Sequence, residues 1–319
     1  NLVDKLIDHG LEVIIIDNLS TGNAEHIHPR AQFHEHDISV ITIDNLVNIL
    51  SGVDTRFHLA ALARVQPSIE NPLPYHDANV TATLNILYAA SKAKVKRVVY
   101  SASSSCYGNS EKVPQCEDDP TNPLSPYGLQ KYIGEQYCRM FSEVYKLDTV
   151  SLRYFNVYGE RMSLEGAYCL VTGIFARQMK NGQDLTITND GHQRRDFTYV
   201  GDVVNANILA AKYSGRLNGE VFNIGNGKNA SINEVADMFG GKKKYGEKRL
   251  EPFETLANNK KAKNILNWQP TADLSNWIKQ YKSELNDAIK NFTDATIINP
   301  TDAQTYTTLS KCYLDLGDK

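Results

Sequence analysis

The stretch Leu11-Glu-Val-Ile-Ile-Ile-Asp17 decides the fold. Its apolar residues run on instead of alternating, the pattern of a strand covered on both faces, and such strands belong to parallel sheets. Before it, Asn1–Gly10 places apolar residues at helical spacing and ends on a glycine suited to a helix C-cap. A helix followed by a buried strand that ends in Asp is the second half of a dinucleotide-binding βαβ unit, where the acid accepts hydrogen bonds from ribose hydroxyls. The glycine-rich turn of such a unit is not among these residues, so we expect a fragment lacking roughly the first 20 residues of its fold. A chain that truly starts at Asn1 would have no pyrophosphate cradle.

Outward from Asp17, strands and helices alternate. Gln32–Asp37, Thr55–Ala61, Arg97–Ser101 and Asp148–Tyr154 read as strands, with helices over Ile43–Leu50, Tyr75–Ala93 and from Ser125 to about Tyr145. This rhythm predicts an α/β fold with a Rossmann-type doubly wound parallel sheet, whose ligands lie beyond the strand C-termini. After Phe155 the texture changes to longer loops with glycine, arginine and aromatics. It includes a helix ending near Lys180, a strand at Asp184–Thr188, a helix at Asp202–Lys212, a strand at Glu220–Gly225 and a helix at Ser231–Phe239 with a capping box. The expected domains are therefore 1–155 for a dinucleotide, 156–282 for a substrate, with 198–225 returning to the sheet, and a tail, 283–319. The tail resembles one tetratricopeptide repeat, which cannot bury its own face; the alternative is a chance pair of amphipathic helices.

A formal charge of −3 over 319 residues offers no global field for nucleic acid, and no apolar run is long enough to span a bilayer. Five scattered cysteines without C-x-x-C spacing point to reduced thiols and a cytoplasmic location, and the eight histidines show no metal-ligand spacing.

Chemistry enters with Ser125-Pro-Tyr-Gly-Leu-Gln-Lys131. Pro126 suits the first turn of a helix, and Tyr127 and Lys131, four apart, then share one face. An ammonium beside a phenol stabilises the phenolate and makes the tyrosine a usable base near neutral pH. On its own this spacing is as well explained by an exposed i,i+4 contact. Ahead of it, Ser101-Ala-Ser-Ser-Ser-Cys-Tyr-Gly108 puts hydroxyls at a strand end, where they can bond the oxygen that the tyrosine deprotonates.

With these stretches stand Asp17-Asn-Leu-Ser-Thr-Gly22, His36-Asp-Ile38, Phe57–Pro72, Asn79–Leu87, Arg153–Gly159, Arg194–Val203 and Phe222–Gly227. Together, over Asn1 to about Lys282, the chain resembles the extended short-chain dehydrogenase/reductases, specifically nucleotide-sugar epimerases of the UDP-glucose 4-epimerase type. The resemblance implies that Ser103, Tyr127 and Lys131 are catalytic, with Tyr127 as base and Lys131 also on the nicotinamide ribose. It implies that Asp17, Asn18, Asp37, Ile38, Leu59, Ala60, Ala61 and Asn79 line NAD. It assigns the UDP-sugar to Ser103, Ser105, Asn156, Ala167, Tyr168, Arg195 and Arg249, with Thr255 beside the sugar. Thr255 stands where glucose-restricted members carry a bulky tyrosine, which implies room for a 2-acetamido group; Asn258 departs from the family's usual aspartate. The expected reaction is C4 epimerisation of a UDP-hexose or UDP-N-acetylhexosamine through a 4-keto sugar, by a homodimer. A UDP-glucuronate 4-epimerase or other nucleotide-sugar oxidoreductase is the enzymatic alternative. An inactive nucleotide-sugar scaffold, recruiting a protein partner through its tail, is the alternative of another class.

Overall fold

A computed structural model describes residues 1–164, 169–248 and 251–298, with the side chains of all of these except 288–298. Helix α1 (Leu2–Asp8) leads into β1 (Ile14–Asp17), which pairs in parallel with β2 (Gln32–Glu35), Ile14 opposite Gln32. A second parallel sheet has the order β10-β5-β4-β3, from β3 (Thr55–His58), β4 (Arg97–Ser103), β5 (Asp148–Tyr154) and β10 (Glu220–Ile224). The doubly wound architecture is thus present, in two parallel pieces.

All seven residues of β4 are buried, as a strand covered on both faces requires. The period-2 alternation of a strand divides them. Val98, Tyr100 and Ala102 join Leu46 and Leu50 of α2 (Ile43–Leu50), Ile86 and Leu87 of α5 (Ala82–Lys92) and Phe141 of α6 (Pro126–Val144). Val99 faces the other way, toward Leu152, Phe222, Trp268 and Val203 of α8 (Val200–Lys212). Each such fully buried side chain contributes about 1.5–3 kcal/mol, and the two layers together clamp the sheet.

Sequence periodicity overstates several strands: β1 begins at Ile14, Leu11–Val13 belonging to the connection from α1, and β3 stops at His58, where the chain enters the loop at the C-terminal edge. The expected single helix Tyr75–Ala93 is instead α4 (Pro72–His76), a five-residue π turn at Asp77–Thr81 and α5, preceded by α3 (Val65–Glu70). The wider π turn carries Asn79, whose amide closes two hydrogen bonds with the Leu62 backbone, 2.8 and 2.9 Å.

Beyond Phe155 the chain builds a second core. Phe175 of α7 (Val171–Lys180), Leu185 and Ile187 of β7 (Leu185–Ile187), Val235 and Phe239 of α9 (Ile232–Phe239), and Ile278 of α11 (Leu274–Ile298) pack together. The capping box expected at Ser231 is present, Ser231 accepting from the Glu234 N–H and Glu234 from the Ser231 N–H. Three two-stranded sheets form here: β6 (Val157–Tyr158) with β9 (Thr198–Tyr199), β8 (Arg194–Asp196) with β11 (Asn229–Ser231), and β7, expected at Asp184–Thr188, with β12 (Lys243–Tyr245); the other five strands were not foreseen. Two- and three-residue strands are too short for periodicity to register. After α10 (Lys260–Leu266), α11 runs unbroken across the boundary expected at 282/283. The rest of the tetratricopeptide-like stretch lies outside the described residues.

Candidate active site

A cavity of about 440 Å³ opens where the two cores meet, within the range of small-molecule sites. Ser103, Ser105 and Tyr127 line it from the sheet side, and Asn156, Arg195 and Thr255 from the second core. Six expected residues from five separate stretches therefore share one space.

The serines come from the end of β4. Ser103 Oγ caps the short turn that follows, accepting from the Ser105 N–H at 3.2 Å and donating to Ser105 Oγ at 3.1 Å. Gly108 ends that turn at φ +60, and a Cβ there would sit 1.8 Å from the Asn122 carbonyl oxygen, so only glycine fits. Tyr127 is fixed at the first turn of α6, where Ser125 accepts from the Gly128 N–H and the Tyr127 N–H donates to Ser68 Oγ at 3.1 Å. Lys131, one turn on, is 4 % exposed, and burial pulls its ammonium down to about 8.

Arg195 is buried at the opposite wall. One guanidinium nitrogen donates to the Arg194 and Phe253 carbonyls, and the other pairs with Glu251. Glu251 also accepts from Asn189 at 2.7 Å and from Gln193 and Thr188 at 3.3 Å. The neighbouring Asp196 takes the Asn226, Gly227 and Ala257 N–H groups, yet burial still pushes its carboxyl up to about 6. Asn156 donates to the Asp196 carbonyl and Thr255 Oγ1 accepts from the Asp196 N–H, so both cavity residues hang on β8.

The other expected positions sit along the C-terminal edge of the strands and do not line this cavity. Asp17 ends β1, one oxygen accepting from the Leu19 N–H and the other without a bond to a described residue. Asn18 donates to Asp37, whose carboxyl Ser39 holds below its usual range. Ile38 is buried, its carbonyl taken by Asn85; Leu59, Ala60 and Ala61 follow β3, with Leu59 47 % exposed. An open carboxylate oxygen at a strand end, small residues after the next strand and a buried ammonium on α6 fit a dinucleotide's ribose, flat ring and second ribose. Ala167, Tyr168 and Arg249 lie outside the described residues. Sequence reading missed Arg64, which lines the cavity and donates to the Cys169 carbonyl, and also Thr188, Gln193 and Glu251. Arg64 lies within the matched stretch Phe57–Pro72 and so carried a signal; Glu251 carried none.

A parallel doubly wound sheet with a serine-ended strand and a Tyr/Lys helix defines a nucleotide-dependent oxidoreductase type of site. Residues 1–225 match the model of the NAD dependent epimerase/dehydratase family, and the chain belongs to that family. It is 40% identical over 288 residues to a putative UDP-glucose 4-epimerase of Methanocaldococcus jannaschii, covering 88% of this chain and 92% of the relative. The crystal structure of UDP-glucose 4-epimerase with UDP-glucose from Thermotoga maritima superposes with a TM-score of 0.83 at 35% identity, covering 87% of this chain and 92% of that one. The UDP-N-acetylglucosamine 4-epimerase of Methanobrevibacter ruminantium, in complex with UDP-N-acetylmuramic acid, gives 0.80 at 34% identity, with 89% and 94% covered.

Proposed function

We propose that the protein is an isomerase, an NAD-dependent 4-epimerase of a UDP-hexose or UDP-N-acetylhexosamine. The observation that carries this reading is the single cavity in which Ser103, Ser105 and Tyr127 from the sheet face Asn156, Arg195 and Thr255 from the second core. NAD, when bound at the strand ends, would supply reversible hydride transfer at C4 of the sugar. Tyr127 accepts the proton of the 4-hydroxyl and gives it back, with Ser103 and Ser105 bonding the same oxygen. The Lys131 ammonium stabilises the phenolate. Arg195 holds the diphosphate by charge-assisted hydrogen bonds, and Asn156 flanks it, so the grip is remote from the ring and the 4-keto sugar is free to turn. Asp17, Asn18, Asp37, Ile38, Leu59, Ala60, Ala61 and Asn79 form the cofactor side of this proposal. The resemblance adds Ala167, Tyr168 and Arg249 on the uridine diphosphate side.

Thr255 is short, buried and on the cavity wall, which supports an acetylated substrate. A second reading, epimerisation of a UDP-hexuronate, draws support from Arg64, a second cation on the wall near Ser103. Exposed Leu129 and Val144 on α6, with Leu73 on α4, support a homodimer, and the reduced thiols of Cys106, Cys116 and Cys138 support a cytoplasmic location. A role for the tail in recruiting a partner protein rests on residues outside those described.

The test is to supply UDP-GlcNAc, UDP-glucose and UDP-glucuronate separately with NAD and to follow the 4-epimers by proton NMR. The reading expects UDP-GlcNAc to be turned over. Turnover of the uronate alone would favour the second reading, and none at all with NAD bound would favour the scaffold.

A further inference from the structure

The ammonium of Lys131 is buried without an acid. Among the described residues no carboxylate pairs with its Nζ, and the nearest acid along α6, Glu135, is committed to Arg153 by two hydrogen bonds of 2.7 and 2.9 Å. What Nζ meets is the face of the Tyr100 ring on β4, 4.7 Å from the centroid. That ring is 1 % exposed and also packs against His58 of β3, 5.8 Å between centroids. Its hydroxyl donates to the Lys131 backbone carbonyl at 3.3 Å. The ring can lie this close to α6 only because residue 134 is glycine: a Cβ there would fall 2.3 Å from the Tyr100 hydroxyl oxygen and 2.6 Å from Cζ.

We propose that Tyr100 is a positioning residue for Lys131, its ring face, admitted by Gly134, holding the ammonium where an acid would ordinarily stand. The choice has a chemical consequence. A carboxylate would pin the ammonium but cancel its field at Tyr127, whereas a ring quadrupole attracts the cation and leaves its whole charge acting on the phenol. The other groups around Lys131 are uncharged at neutral pH or tied up: Cys138 on α6, whose thiol burial pushes up to about 12, His58 on β3, whose imidazole burial keeps well below its usual range, and Glu135 in its pair. This inference rests on the base role given to Tyr127, but its test does not.

The experiment is a pH titration of Lys131 by NMR in the chain alone, using lysine labelled at Cε, with Lys131→Met to assign the signal. Tyr100→Leu removes the ring and is expected to lower the titration point by about one pH unit, the size of a desolvated cation–π contact. Tyr100→Phe keeps the ring and is expected to leave the titration point in place while lowering Tm through the lost hydroxyl bond. Gly134→Ala pushes the ring away and is expected to move the point in the same direction as Tyr100→Leu. In the active enzyme the pH at which kcat changes should follow the same order. A titration point unchanged in both Tyr100→Leu and Gly134→Ala, or lowered as far by Tyr100→Phe as by Tyr100→Leu, would overturn the proposal. Should Tyr100→Leu fail to fold, Gly134→Ala and Tyr100→Phe decide it between them. Loss of epimerase activity with the NMR shifts intact would count against the functional reading and leave this one standing.

Discussion

Lys131→Met should make the protein more stable and catalytically silent. In the fold the ammonium is 4 % exposed, and its titration point falls from 10.5 to about 8 because burial penalises the charge. That drop, at about 1.4 kcal/mol per pH unit, is a cost of about 3 kcal/mol carried by the folded state at neutral pH. The sign follows from proton counting. Between pH 8 and 10.5 the unfolded chain holds the proton and the folded chain does not, so stability rises with pH across that window. Below 8 both states are charged and the whole cost is present. The contact with the Tyr100 ring is already contained in that titration point; a swap of similar volume costs up to about 1 kcal/mol in packing, leaving a net gain of about 2 kcal/mol for a methionine. Urea unfolding at pH 7 should therefore show Lys131→Met about 2 kcal/mol more stable than the native chain. The difference should shrink toward zero as pH approaches 10.5, while any turnover is lost. A variant less stable at pH 7, or a difference that does not vary with pH, would refute the electrostatic account of this side chain.

Other expectations follow from the same coordinates. Glu135→Gln leaves Arg153 buried without its acid, at 3% side-chain exposure, and should cost about 3–5 kcal/mol in chemical denaturation; Glu135→Leu with Arg153→Met should recover most of it. Glu251→Gln frees the Arg195 cation on the cavity wall, so UDP measured by calorimetry should bind about 10-fold more tightly; weaker binding would mean that Glu251 serves to hold Arg195 in place. Thr255→Tyr should lower kcat/KM for the acetylated substrate by about 10-fold or more relative to UDP-glucose, since a bulky ring fills the space beside the sugar.

How much of this was legible depended on length scale. The strand Leu11–Asp17, the cap at Ser125 and the Tyr127/Lys131 pair are local statements, fixed by side-chain type and spacing; the structure shows the helix as described, but the strand only from Ile14 on, with Ile16 alone of that stretch buried and Leu11 exposed. The gathering of Ser103, Tyr127, Asn156, Arg195 and Thr255 around one cavity was accessible only through resemblance, because those residues come from distant stretches. Glu251 was invisible: no periodicity marks an acid that becomes important by landing on Arg195 56 residues away. The π turn at Asp77–Thr81 escaped for a different reason, since one additional residue in a turn leaves helical spacing on either side intact. Tyr100 reads as one more core aromatic until Gly134 is placed beside it.

The central claim is that Tyr127 moves the proton of the 4-hydroxyl of a UDP-sugar held by Arg195. Its most direct test is proton NMR of UDP-GlcNAc incubated with the NAD-bound protein in deuterium oxide, beside Tyr127→Phe. The account predicts the 4-epimer with hydrogen, not deuterium, retained at C4, because the hydride travels to NAD and back, and no epimer from Tyr127→Phe. Deuterium at C4, or equal turnover by Tyr127→Phe, would contradict it.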